Sequence, residues 1–322
     1  MKSIIIALFL FASNYLSSQQ IVNLKLNNHK YFNDLASASG VEIYKNIIYL
    51  VADDLPWLIE LNNKWKVKNK YPISGITQTK NGRTPKKIKA DFESMALLKY
   101  SNKPYMLILS SGSKKIKRDT AYLFSMNEKK VIAKKNIRPW YESIKKMAGI
   151  GDNDEINIEG LAVSKDKIYV LHRGNISGNF IAVSPQNELI DFLLNKTEKI
   201  PQTKTFSFGI VSEEGVTAGF SGACCLPNHK GLLVTASLET TEDVINDGIV
   251  LGSYLAYIPF EGMEKGIIEL TPIMDKNGKI LAKKQEGVVI VKTTKQGNYQ
   301  ILTISDNDDG TSDIFDLNFI LK

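Results

Sequence analysis

Apolar residues along this chain come in short runs, many rich in Val, Ile and aromatic side chains and each cut off by Gly, Asn, Asp or Ser, which is the punctuation of strands and tight turns. Five of the runs open alike, with a Ser or Glu, then a small residue, then an apolar strand start: Ser39-Gly40-Val41, Glu93-Ser94-Met95, Glu159-Gly160-Leu161, Ser221-Gly222-Ala223 and Glu286-Gly287-Val288. The motif residues stand 54, 66, 62 and 65 positions apart, and about 57 more residues lead from the last one around through the C-terminus to the first. A near-constant period of this length marks a repeat architecture. In each unit a second run follows (48–52, 105–109, 168–172, 232–236, 299–304) and then a third (57–61, 121–125, 179–183, 253–258, 313–319). Four units add a fourth, at 65–73, 130–137, 188–194 and 266–273, while the fifth runs out of chain after three. Ile21–Leu26, an otherwise unexplained strand, can supply the missing one. The expectation is an all-β, five-bladed β-propeller with four antiparallel strands per blade, closed by the N-terminal strand. Six blades is the alternative, at the cost of one blade without the motif, and a β-sandwich does not explain the spacing.

Before the first strand, Lys2, an apolar run from Ile4 to Ala12 and a small polar stretch to Gln19 have the layout of a secretory signal peptide. Residues 1–19 are assigned to that peptide and 20–322 to a single propeller domain, secreted or periplasmic. The apolar run is short of the ~20 residues a spanning helix needs. The two cysteines, Cys224 and Cys225, are adjacent and point to opposite faces of a strand, so they read as core residues and not as a disulfide. The net charge of +7 is uneven: residues 64–150 hold 22 Lys and Arg against 5 Asp and Glu, leaving the rest of the chain acidic. Those cations are mostly Lys without interleaved aromatics, so nucleic acid is not expected as a partner.

Blade geometry converts the repeat into a site. The motif residue opens the innermost strand of each blade, so Ser39, Glu93, Glu159, Ser221 and Glu286 should meet at one end of the central channel. The second strands end at the same face in polar clusters that include Asp53 and Asp54, His172 and Arg173, Glu239, and Asp306. Three carboxylates around a narrow channel repel one another unless they protonate or bind a cation. An all-oxygen ring without Cys or His suits Ca²⁺ better than zinc or magnesium. The other reading is that the glutamates accept backbone N–H bonds at strand starts. Two lysine-rich loops, 79–89 and 112–119, should overhang this face and favour a phosphate-bearing anion.

The order Ser, Glu, Glu, Ser, Glu, one per blade, resembles the calcium-activated nucleotidases (soluble apyrases), five-bladed propellers with one axial Ca²⁺. Gly219-Phe220-Ser221-Gly222 through Pro227-Asn228 is especially similar. Ala52–Pro56, Asp91-Phe92-Glu93 and Ser305–Gly310 also resemble an uncharacterised bacterial family of exported propellers, related to those called phytase-like or esterase-like. The resemblance implies Ca²⁺ as cofactor, held by the five ring residues. Where apyrases follow the paired aspartates with Arg, Thr and Gly, this chain has Leu55-Pro56-Trp57, so the metal ring carries over better than the substrate. The functional expectation is a monomeric, calcium-dependent hydrolase of phosphate esters or anhydrides. Asp54 or Asp306 would serve as base, and His172 and Arg173 would stabilise the charged transition state. The alternatives are a non-catalytic binding propeller with a structural ion, and an esterase or lactonase.

Overall fold

Nearly every apolar run becomes a strand, the inner strands of each blade are mostly buried, and the strands group by fours. The structure, a computed structural model, describes residues 19–174, 178–210, 217–239, 249–294 and 297–322. Strand β1 (Ile21–Phe32) comes first. Blade 1 follows, with β2 (Ala38–Tyr44), β3 (Ile47–Ala52), β4 (Trp57–Leu61) and β5 (Val67–Pro72). Blade 2 holds β6 (Phe92–Tyr100), β7 (Lys103–Ser110), β8 (Thr120–Ser125) and β9 (Lys130–Asn136), and leads into helix α1 (Arg138–Ala148). Blade 3 has β10 (Ile158–Ser164), β11 (Lys167–His172), β12 (Asn179–Pro185), helix α2 (Gln186–Leu193) and β13 (Lys204–Phe208). Blade 4 has β14 (Gly219–Cys225), β15 (Gly231–Glu239), β16 (Val250–Pro259) and β17 (Thr271–Pro272). The last has β18 (Lys284–Thr293), β19 (Asn298–Asp306) and β20 (Ser312–Leu321). Among the described residues there are five antiparallel four-stranded sheets in sequence order, the fifth completed as β18-β19-β20-β1. This is the five-bladed propeller expected from the repeat, and the six-bladed alternative falls away. The signal-peptide assignment lies outside the described residues except for Gln19.

Two fourth strands differ from expectation. The run 188–194 is not a strand but most of α2, and the outer strand of blade 3 is β13, ten residues later. An apolar run this short fits either period. Here Leu189, Ile190 and Leu193, at helical spacing, bury one face against the core between blades 2 and 3. The run 266–273 shrinks to Thr271–Pro272, where the proline has no N–H to extend the ladder. Helix α1 starts with Pro139 in its first turn and stops at Gly149, whose left-handed φ of 70° is the usual C-terminal cap. It buries Trp140, Tyr141 and Ile144 in the same core, and the Tyr141 hydroxyl donates to the Ser110 carbonyl at 2.7 Å.

The core lies between blades, not within one. Five clusters of buried side chains fill the gaps between successive sheets; the one joining blades 5 and 1 contains Val41, Leu50, Leu302 and Ile304. The small cysteines fit this scheme: both thiols are free, with Cys224 buried in the core between blades 4 and 5. Such a ring is only as strong as its closure. β1 pairs with β20 from Ile21 opposite Leu321 to Phe32 opposite Ser312, so the two chain ends share one blade. Gln20 and Lys322 exchange backbone hydrogen bonds at 2.8 and 3.0 Å. His29 stacks on Phe315 and bonds Asp313 at 2.5 Å. Deleting residues 19–32 should therefore lower the melting temperature far more than trimming an exposed tail, because it unpairs β20 and opens the ring. Thermal unfolding of the truncated protein checks this, and adding the 19–32 segment back as a peptide should recover part of the loss. An unchanged melt would show that closure does not depend on β1.

Candidate functional site

All five motif residues are the extra residue of a β-bulge. In blade 1, Ala38 pairs with Ala52 and Gly40 with Val51, and Ser39 between them has no partner across the ladder. The same skip leaves out Glu93, Glu159, Ser221 and Glu286 in the innermost strands of the other blades. A bulge re-aims the unpaired side chain and bends the strand, and five of them turn the motif residues toward the channel together. The residue after the bulge has little room for a side chain, crowded by the next blade's innermost strand or by the second strand of its own blade. At Gly222 a Cβ would lie 2.5 Å from the Glu286 carbonyl oxygen, and at Gly40 it would meet Val51 at 2.7 Å. The channel below has room for about one water, with a volume near 10 Å³.

The ring sorts itself by residue type. Carboxylate oxygens of Glu93, Glu159 and Glu286 lie within 4.8 Å of one another. Oε2 of Glu159 and Oε2 of Glu286 are buried without a hydrogen-bond partner, whereas buried polar atoms are ordinarily paired. Glutamates capping strand starts with both oxygens would not leave these open. The serines behave differently. Ser39 donates to the Phe92 carbonyl and Ser221 to the Gln285 carbonyl at 2.5 Å, so each ties its blade to the next. Ser39 still borders the cavity above the ring, and Ser221 does not. The three glutamates fit a hard, oxygen-seeking dication on their own, with two open oxygens as the observation that speaks for it.

Burial raises the pKa of Glu93 well above the ordinary carboxylate range, with Asp53, Glu159, Asp91 and Glu286 adding like-charge repulsion. Burial also raises Glu286, although Lys284 opposes it. The Lys284 ammonium lies 2.7 Å from Glu286 Oε1 and 3.9 Å from Glu239. Arg173 sits behind it, 2.6 Å from Glu239 and 3.9 Å from Glu159. A second acidic trio, Asp53, Asp91 and Glu93, shares Glu93 with the first and also gathers within 4.8 Å. Its cation is internal: the Lys89 ammonium pairs with Asp53, with Asp91 at 3.2 Å and with Asp54 at 3.4 Å. Burial nonetheless raises Asp53, with repulsion from Asp91 next. Asp91, against the same desolvation, is held low by Lys89, a hydrogen bond from Asp53, and Arg118 at 3.0 Å.

Above the ring opens a polar cavity of about 460 Å³. Asp53, Asp54 and Asp306 reach it from strand ends, and Lys80, Arg83, Lys86 and Arg118 from the two basic loops, which do border the cleft as expected. The individual roles shift. Asp54 is buried and clamped by Arg83 Nε at 2.5 Å and by Ser37 at 3.2 Å. Asp306 borders the cavity and burial raises its pKa, although it accepts the Asp308 N–H at 2.8 Å. His172 and Arg173 do not border it. His172 is 1 % exposed and stacks on Phe180; its Nδ1 accepts the Asn157 N–H at 2.9 Å, and burial pushes its pKa down to about 3. It is a neutral core histidine, packed behind strand β10 where its ladder partner is Ile158.

Sequence reasoning missed Asp91, Lys284 and the burial of Lys89. Asp91 and Lys284 each stand two positions before a motif glutamate. That spacing was the available signal.

The fold and this site define a five-bladed propeller with an acidic axial cluster and internal cations, open to solvent at one face. The chain belongs to the family of unknown function DUF6929, which it matches over residues 34–319. No curated protein matches its sequence. Among solved structures, glutaminyl cyclase from Myxococcus xanthus is similar over 93% of this chain and 97% of its own, with a TM-score of 0.53 and 8% identity. A GH43 endo-arabinanase from Bacillus licheniformis (TM-score 0.42, 12% identity, 89% and 94% covered) and virginiamycin B lyase from Staphylococcus aureus (0.41, 11%, 92% and 100%) follow. At such identities the first shares the fold alone, and the lower scores of the other two carry no argument.

The raised pKa values have a testable sign. Without a cation, folded Glu93 holds a proton that the unfolded chain has lost above about pH 4.3, so metal-free protein should lose stability as pH rises from there toward neutrality. Glu93→Gln should flatten that loss and raise the metal-free melting temperature at pH 7 by a few degrees, on the scale of roughly 2–4 °C per kcal/mol for a chain of this size. Thermal melts in chelator at pH 4.5 and 7 measure it. A variant that melts lower than wild type at pH 7 would refute the repulsion argument.

Proposed function

We propose that this protein is an exported, calcium-dependent hydrolase of small phosphate esters or anhydrides. The observation that carries the reading is the axial trio: three carboxylates from three blades within 4.8 Å, two of their oxygens open, at the floor of a cavity with a basic rim. Glu93, Glu159 and Glu286 would hold Ca²⁺, which when bound supplies Lewis acidity toward a phosphoryl oxygen. The remaining roles fall to side chains. Lys80 and Lys86, both exposed, draw an anion toward the cleft in a salt-sensitive way. Arg118 reaches the cavity wall and can donate to a bound phosphate. Asp306 is the better base of the two aspartates considered: it faces the cavity and burial favours its taking up a proton, while Asp54 is locked by Arg83 and Lys89. Arg173 acts through Glu239 and Glu159 as a positioning residue. Export rests on the N-terminal residues; among the described residues no helix is long and apolar enough to cross a membrane.

One observation favours a second reading, a non-catalytic binding propeller with a structural ion. The two groups expected to stabilise a charged transition state, His172 and Arg173, are withdrawn from the cavity. Turnover decides between the readings. Nucleotides and phytate, each assayed with calcium and with chelator, should give calcium-dependent release of phosphate, and simple carboxylic esters assayed alongside should not be cleaved. Asp306→Asn should lower that rate by about 10²-fold or more, as loss of a general base does, while leaving the calcium-induced rise in melting temperature in place. Hydrolysis of carboxylic esters alone would move the assignment to an esterase. Absence of turnover with every substrate, in protein that binds calcium, would establish the binding module.

A further inference from the structure

The ring contains a cation of its own. Lys284 belongs to blade 5, as do Gln285 and the bulged Glu286, and only a tenth of its side chain is exposed. Its ammonium sits 2.7 Å from Glu286 Oε1, on one of the three carboxylates that would hold a divalent ion. A second carboxylate, Glu239 at the end of β15, stands 3.9 Å from the same nitrogen and is itself held by Arg173 at 2.6 Å. Lys284 therefore has two acceptors within reach, one belonging to the axial trio and one beside it. Lys284 also borders the cavity, so a shift away from Glu286 moves its charge along the wall that a ligand would touch.

We propose that Lys284 is the resident counter-ion of the axial cage. A divalent cation enters by displacing the ammonium from Glu286 toward Glu239 and the cavity. The physical reason is direct: ammonium and dication compete for one carboxylate and repel each other at close range in a poorly screened site. While Lys284 stays on Glu286, the cage is partly neutralised and its affinity for an ion is reduced. Once displaced, the same ammonium becomes available to an anion above the ring, which couples ion binding to ligand binding through one side chain. Glu159 Oε2 and Glu286 Oε2, buried and unpartnered, show that the lysine does not satisfy the cage completely. The inference rests on the metal-centred reading of the trio and concerns how that site is regulated.

Calcium chloride titrated calorimetrically into metal-stripped protein tests it without reference to activity. Lys284→Met should bind calcium at least tenfold more tightly than wild type, and Lys284→Arg, which keeps the charge, no more tightly than wild type. Lys165→Gln, an exposed turn lysine on the opposite face, should match wild type. Since removing a buried ammonium can impair folding, Lys284→Gln, which retains a hydrogen-bond donor toward Glu286, provides a second neutral variant. Its melting temperature should also rise more on calcium addition than that of wild type. If wild type binds calcium and both neutral variants bind it equally or less tightly, the competition is overturned and the metal reading stands. If wild type shows no binding while the neutral variants bind, Lys284 seals the cage, and calcium is not the native occupant. If none of the proteins binds, both the competition and the metal reading fall.

Discussion

The structure depends on one local irregularity repeated five times. Each innermost strand carries one residue too many for its partner, and the surplus residue turns out of the ladder toward the channel. Without the bulges, strand alternation would fix these side chains by the pleat alone. With them, residues as far apart as Ser39 and Glu286 meet in one ring. The small residue that follows each bulge is the other half of the device, since the next blade's innermost strand at Gly222 and Val51 of the second strand at Gly40 leave little space for a Cβ. Ser39 and Ser221 then use their positions to fasten one blade to the next, and the glutamates are left to define the chemistry.

Gathering carboxylates has an electrostatic cost, and the fold meets it from within. Lys89 lies among Asp53, Asp54 and Asp91, Arg118 backs Asp91, Arg83 clamps Asp54, and Lys284 and Arg173 serve the axial side through Glu286 and Glu239. The basic excess of residues 64–150 is thus divided. Arg83, Lys89 and Arg118 are structural counter-ions of the cleft, while Lys86, Lys114 and Lys117 remain exposed. Even so, Glu93, Glu286, Asp53 and Asp306 stay above their ordinary pKa, so compensation is incomplete and the site retains an appetite for protons or cations. Closure through β1 joins the blades into a continuous ring.

The sequence by itself determined the architecture: the spacing of the Ser/Glu motif, the count of strands and the spare N-terminal strand together specify five blades and their closure. It did so because strand period, turn chemistry and repeat length are local properties of the chain. It also identified the three glutamates, since a motif repeated once per blade must converge on the axis. The outer elements were less legible. The apolar run 188–194 suits helix and strand alike, and only packing against the core between blades 2 and 3 selects the helix. Charge partnership was not legible at all. Whether Lys89 is a rim lysine or a buried counter-ion, whether His172 faces solvent or stacks on Phe180, and whether Lys284 touches Glu286 depend on where bulged strands from different blades aim their side chains. Electrostatic pairing across blades is a through-space property, and only the tertiary structure decided it.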